Sequence, residues 1–182
     1  MFNFAFYHMN YIAHYPSPLG DILLESDGIS LVGLRFDGQR YIADVQVHEE
    51  KPDLPVFDET RRWLDIYFKG EIPDFTPPLR LSSSDFRQRV WQRLLTIPYG
   101  SKVSYGDIAR HIGCKSAQAV GGAVGHNPIP IIIPCHRVIG ADGSMTGFGG
   151  GIDRKIYLLE LESKGHHGAD EQENYNKVAC ET

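Results

Sequence analysis

The sequence predicts an α+β protein of two units, β-rich up to residue 80 and mainly helical beyond it. Three observations carry this. Short runs rich in β-branched and aromatic residues, separated by Asp-Gly and Pro-Ser-Pro-Leu-Gly turns, fill the first third. A proline- and serine-rich stretch at 72–84 interrupts that pattern. After it, apolar residues recur at helical spacing, with Ser or Asp at the starts and Gly at the ends. The expected division is an N-terminal α/β domain at 1–80, a second domain at 81–165 and a polar tail at 166–182.

The elements follow in order. Tyr11 to Tyr15 reads as a strand, turned by Pro16-Ser17-Pro18-Leu19-Gly20 into a second strand, Asp21 to Glu25. Asp27-Gly28 then leads into Ile29 to Phe36, a hairpin signal because Asp-Gly adopts the turn that matches strand twist. From Phe57 to Phe68, Phe57, Trp63, Leu64, Tyr67 and Phe68 suit an amphipathic helix, which Gly70 stops. Ile72 to Ser84, with three prolines and three consecutive serines, is the boundary. Asp85 to Thr96 is a helix with Phe86, Val90, Trp91, Leu94 and Leu95 in one stripe and Ser84 as its cap.

Ser104-Tyr105-Gly106-Asp107 has capping-box spacing, so a short helix should run to Ile112 and stop at Gly113. Ser116 should cap a second helix through Gly125, completing a helix-turn-helix. That second helix is nearly bare: Ala117, Ala119, Gly121, Gly122, Ala123 and Gly125. Each interior glycine costs about 1 kcal/mol relative to alanine, so the bareness needs a reason. Tight helix packing is one; close approach to something large, such as a nucleic-acid backbone, is the other. Ile129 to Ile133 reads as a buried extended segment, and Pro134 keeps Ile133 out of the helical region. Gly147-Phe148-Gly149-Gly150-Gly151 is a loop, Asp153 caps a helix through Glu162, and Gly165 ends it.

Of 182 residues, 42% are apolar, which suits an ordinary globular chain with no run long enough to span a membrane. The apolar start, Met1-Phe2-Asn3-Phe4-Ala5-Phe6, lacks a basic flank and a cleavage site, so a cytoplasmic protein is expected. Cys114, Cys135 and Cys180 form neither a disulfide framework nor a Cys-x-x-Cys zinc pair. His8, His14, His48, His111 and His126 lack ligand spacing, and His166-His167 could hold metal only adventitiously, so no metal or cofactor is expected. The net charge of −5 is unevenly spread: −7 over 1–79, +6 over 80–155 and −4 over 156–182. A basic middle between acidic ends is the pattern of a chain that meets phosphates locally.

A lone cysteine in such a domain is ordinarily a small buried hydrophobe. Cys135 differs because His136 and Arg137 follow it, and thiol chemistry needs a base or a positive field. In an extended segment these neighbours would face opposite ways, so a water or a local turn would have to link them. An acid orienting the histidine completes such a chain, with Asp142, Asp153, Glu160 and Glu162 all candidates. Cysteine proteases use comparable parts, so these residues alone leave the reaction open.

Asn127-Pro128 followed by Ile133-Pro134-Cys135-His136-Arg137-Val138 closely resembles the signature of the O6-alkylguanine-DNA alkyltransferases. The resemblance runs from Phe86 to Gly165, through Val103-Ser104-Tyr105, Ala119-Val120-Gly121-Gly122 and Gly143 to Gly151, and includes the Pro16 to Gly20 hairpin. It implies a ribonuclease H-like N-terminal domain, a winged helix-turn-helix C-terminal domain and a monomer. The partner would be double-stranded DNA carrying O6-alkylguanine, with O4-alkylthymine an open question. It further implies irreversible, single-turnover transfer of the alkyl group to Cys135, without a cofactor. In that scheme His136 is the base acting through a water, Glu162 orients it, Asn127 braces the turn, and Tyr105 helps protonate the departing guanine. Val124 and Pro130 would wall the alkyl pocket, while Arg137 and main-chain groups at Cys135, Val138 and Gly149 would face substrate or DNA. The bare helix, Ala117, Ala119, Gly121 and Gly122 included, would enter the minor groove.

Two departures stand out. Where relatives often carry an arginine wedge, this chain has Gln118, which can fill space and hydrogen-bond but has no charge. Phe148 replaces a common tyrosine and lacks its hydroxyl. The N-terminal zinc site of some relatives has no cysteines here before Cys114. A damage-binding protein without transfer activity would lack Cys135. A helix-turn-helix regulator would bind duplex regardless of alkylation.

Overall fold

The computed structural model describes residues 10–37 and 48–179, with side chains for 10–37 and 49–165. His8 and Cys180 lie outside the described residues, as does the end of the expected tail.

Four strands, β1 (Asn10–Ser17), β2 (Gly20–Ser26), β3 (Leu31–Phe36) and β4 (His48–Glu50), form one sheet in the order β3-β2-β1-β4. The two expected turns pair β1 with β2 and β2 with β3 antiparallel, and β4 joins β1 in parallel. Alternation places Ala13, Tyr15, Ile22 and Leu24 inward. They meet helix α1 (Pro55–Phe68), which buries Phe57, Trp63, Leu64 and Tyr67. Pro55 suits the first helical turn, where its missing N–H costs nothing, and Gly70 at φ +83° ends the helix as expected.

The boundary segment is tied down. Leu31 N–H donates to Pro78 O at 2.7 Å and Arg80 N–H to Leu31 O at 3.0 Å, so the linker extends the sheet at its β3 edge. Helix α2 (Asp85–Leu95) buries Val90, Trp91 and Leu94, and Trp91 Nε1–H donates to Ala123 O of a later helix at 2.9 Å. Ser84 is the N-cap residue of α2, but its hydroxyl accepts no capping bond. Strand β5 (Val103–Ser104) runs straight into helix α3 (Tyr105–His111), and the Ser104–Asp107 capping box forms reciprocally. Ser116 caps helix α4 (Ala117–Gly125) through Ala119 N–H. The helix-turn-helix is therefore present.

Three expectations change. The 129–133 run is buried but not extended: Ile131 adopts φ +75° and Ile133 N–H returns to Ile129 O at 3.0 Å. Asn127 imposes this turn, donating from Nδ2 to Ile133 O (2.7 Å) and accepting from Ile129 N–H (3.0 Å). Helix α5 (Ile152–Ala179) starts before Asp153, which sits in its first turn; Gly151, at φ +96°, precedes the helix and accepts from Lys155 N–H. Nor does Gly165 end α5, which continues to Ala179. Gly165 answers a packing need instead, since a Cβ there would overlap the Gly70 carbonyl oxygen just beyond α1.

Candidate active site

Between Asn127 and β6 (Val138–Ile139) the chain makes two tight turns in succession. Pro134 leads into a single 3-10 turn, Cys135–Arg137, with Arg137 N–H bonded to Pro134 O at 3.1 Å. This turn breaks the strand alternation that would send the two side chains to opposite faces. β6 pairs in parallel with β5, Val103 opposite Val138 and Ser104 opposite Ile139. The thiol segment is thereby stitched to the start of α3, which carries Tyr105.

Cys135 is only 5% exposed, and His136 and Glu162 are fully buried. Of the four candidate acids, Glu162 on α5 is the one that receives His136 Nε2, at 2.6 Å. The same carboxylate accepts from Arg137 Nε (2.9 Å) and Nη2 (2.9 Å), from the Tyr67 hydroxyl (2.7 Å) and from Gly100 N–H (3.0 Å). Burial works against its ionisation, but the His136 and Arg137 contacts outweigh burial and hold it at about 2. With Nε2–H facing an ionised carboxylate, the unprotonated nitrogen of a neutral His136 is Nδ1, which has no protein hydrogen-bond partner. Burial keeps His136 below its ordinary 6.5 despite Glu162, so the imidazole is neutral and basic at Nδ1. The charge that keeps Glu162 ionised is then Arg137's.

Burial pushes the Cys135 thiol up to about 11, against the opposing Asn127 hydrogen bond and Lys155 charge. At neutral pH Cys135 therefore rests as the protonated thiol. Tyr105 donates to Thr146 O at 2.9 Å, and burial, then Cys135, raises its hydroxyl above the ordinary 10.0, so it stays a proton donor at neutral pH.

Asn127, Cys135, His136 and Glu162 come together as one cluster, with Tyr105 at its edge. Val124, Pro130, Val138 and Phe148 are buried around it, and Gly149 is half-buried. Phe148 lies edge-on to His136 with centroids 6.5 Å apart. It also lines a cleft of about 620 Å³ between α4 and the glycine loop, bounded by Gly121, Gly122, Gly125 and 145–152. Ala117, Gln118, Ala119 and Gly122 are exposed along the outer face of α4, and Gly121 is half-buried. Arg137 is the correction. Its guanidinium turns inward to Glu162 and to Ile97 O (2.6 Å), leaving it no role at a DNA surface.

Two residues escaped the sequence reading. Lys155 is fully buried, donates to Val138 O (2.6 Å) and Thr146 O (2.8 Å), and so holds the loop after β6 in place. Its spacing of two helical turns before Glu162 puts both on one face of α5, which was a usable signal. Tyr67 comes from α1, 95 positions before Glu162, and nothing local announces it.

Fold and site together define a helix-turn-helix protein with a buried thiol on the same turn as the histidine of a buried histidine–glutamate pair. Two family profiles match in succession: "6-O-methylguanine DNA methyltransferase, ribonuclease-like domain" over residues 10–81, and the same family's "DNA binding domain" over 85–164. The chain belongs to the 6-O-methylguanine DNA methyltransferase family. The methylated-DNA–protein-cysteine methyltransferase of Haemophilus influenzae is 45% identical over 154 residues, covering 84% of this chain and 86% of its own. That of Methanosarcina acetivorans is 44% identical, covering 84% and 97%. The crystal structure of Mycobacterium tuberculosis OGT in complex with DNA superposes with a TM-score of 0.78 at 46% identity, over 86% of this chain and 94% of that one.

Proposed function

We propose that this protein repairs DNA by direct damage reversal, moving the alkyl group of O6-alkylguanine irreversibly to Cys135. The observation that carries the reading is the His136 imidazole, fixed by Glu162 through Nε2 with its Nδ1 left without a partner, one residue along the same turn from a protonated thiol. Nδ1 takes the Cys135 proton, directly or through a water, and the thiolate sulfur attacks the alkyl carbon in line. The carbon–O6 bond breaks, its electron pair leaves with guanine, and the Tyr105 hydroxyl supplies the proton that neutralises the purine. Tyr105 then recovers a proton from solvent and His136 releases to solvent the one it took, so the net change is the thiol proton exchanged for the alkyl group. The thioether has no leaving group, so each molecule acts once.

A sulfur with this little exposure can reach a base only if the base leaves the stack. The exposed, nearly side-chain-free face of α4 fits the minor groove, and Gln118 on that face would stand in for the displaced base. The positive charge of 80–155 suits the phosphates alongside. O4-alkylthymine offers the same displaceable carbon and is the secondary substrate to test. Intact-protein mass spectrometry after incubation with excess O6-methylguanine duplex should show one methylene-equivalent gain, mapped to Cys135. More than one methyl per molecule, or continued demethylation by Cys135→Ala, would overturn the reading.

A further inference from the structure

We propose that Tyr67, supplied by the N-terminal sheet domain, is a positioning residue for the reaction: its hydroxyl governs how much of the Glu162 charge reaches His136. The proposal rests on the alkyl-transfer reading above, in which His136 is the base. Its geometry is a triangle. The Tyr67 hydroxyl donates to Glu162 Oε1 at 2.7 Å, the oxygen that also receives His136 Nε2 at 2.6 Å, and the hydroxyl oxygen itself lies 3.3 Å from Nε2. Tyr67 and His136 therefore share one carboxylate oxygen, with Arg137 Nη2 a third donor to it at 2.9 Å, and each weakens what that oxygen offers the others.

The surroundings make this sharing effective. Tyr67 is fully buried, and its ring stands at 73° to the imidazole with centroids 6.4 Å apart, so neither ring is free to turn. Burial, reinforced by Glu162, raises the phenol well above 10.0, so its proton is always present to donate. The polar groups packed around the imidazole and its carboxylate are few. They are Tyr67 from α1, Tyr99 and Gly100 N–H after α2, Cys135 and Arg137 on its own turn, and Lys155 and Glu162 from α5. Arg137 and Lys155 each hold His136 toward the neutral form, and Glu162 is the group that favours its protonated form. A hydroxyl that draws on Glu162 therefore keeps the imidazole neutral and ready to accept the thiol proton. Mere packing would need the ring but not the oxygen.

The test separates oxygen from ring. Tyr67→Phe keeps the ring, and 3-fluorotyrosine placed at position 67 keeps the ring and strengthens the donor. In Tyr67→Phe the His136 Nε2–H proton resonance should move downfield at neutral pH, as Glu162 Oε1 loses one of the donors that compete with the imidazole. The acid limb of the single-turnover transfer rate on methylated duplex should rise by roughly half to one pH unit. The fluorinated chain should shift both in the opposite direction. An Nε2–H resonance that stands still in both chains overturns the proposal, whatever happens to the melting temperature. If Tyr67→Phe fails to fold, the fluorinated chain alone decides. Should the unaltered protein transfer no alkyl group, the functional reading falls, while the resonance still judges Tyr67.

Discussion

Replacing Glu162 by Gln tests the whole cluster at once. The carboxylate is fully buried and accepts from His136, Tyr67, Arg137 and Gly100. An amide in its place can accept at only one atom, turns an N–H toward donors, and leaves the Arg137 guanidinium, 8% exposed, without its counter-charge. Breaking a buried ion pair from one side costs about 3–5 kcal/mol. A second route gives a similar figure: a carboxyl held at about 2 rather than 4.5 contributes about 3 kcal/mol at 1.36 kcal/mol per pH unit. Against a total stability of about 5–15 kcal/mol, that loss should lower the melting temperature of a chain this size by roughly 6–15 °C. The sign with pH is definite. Because the folded pKa is depressed, the contribution is whole above 4.5 and disappears as pH falls toward 2. Urea unfolding should therefore show a wide gap between the two proteins at neutral pH that narrows in acid, and transfer should slow sharply once the His136 tautomer is no longer fixed. A neutral-pH gap under about 1 kcal/mol, or one that does not narrow in acid, would refute the assignment of Glu162 as the site's buried anion.

Two glycines give predictions of opposite sign. Gly122 lies in α4 with nothing within reach of an added Cβ, so Gly122→Ala should stabilise the fold by about 1 kcal/mol. If this face enters the minor groove, the same change should weaken binding to duplex, read by fluorescence anisotropy; a more stable protein with unchanged affinity would remove α4 from the interface. Gly165→Ala should gain the same helix propensity yet lose about 1–3 kcal/mol by urea unfolding, because the new Cβ meets the Gly70 carbonyl oxygen. A net gain would show that α5 and the end of α1 do not press together.

What the sequence made legible was local. Capping boxes, Asp-Gly turns and stripes act within a few residues, so α1 to α4 and the three-strand meander could be read off directly, as could the Cys135-His136 motif. The misread parts depended on side-chain contacts that no local pattern announces. The 129–133 run looks extended because it is wholly apolar, and only the Asn127 side chain, bonded to both arms, shows it to be a turn. Gly165 carries the ordinary helix-stop residue type, yet its reason for being glycine lies on another element. Arg137 is placed facing substrate or DNA by the resemblance, and only the buried Glu162 explains why it points inward. Tyr67 reads only as part of the α1 stripe, and its place at the site could not be foreseen, since its partner is 95 positions away.

Besides the Tyr67 and Gly165 contacts, others join the two halves of the chain near the site. Arg154 of α5 donates to Leu19 O at 3.2 Å in the first hairpin and to Gly150 O at 2.9 Å in the glycine loop. Phe36 of β3 meets Phe148 edge-on at 6.5 Å, and Phe148 in turn meets His136. The Leu34 N–H of β3 donates to Pro128 O at 2.9 Å, directly ahead of the Asn127-braced turn. A thiol pushed up to about 11 by burial cannot be kept as thiolate by a general positive field. In the proposed transfer its proton passes to His136 as the carbon–sulfur bond forms, which puts a premium on the orientation of one imidazole rather than on the charge of the pocket. Orientation to that precision needs firm backing. The N-terminal sheet domain supplies the backing: Tyr67 behind Glu162, and Phe36 behind Phe148.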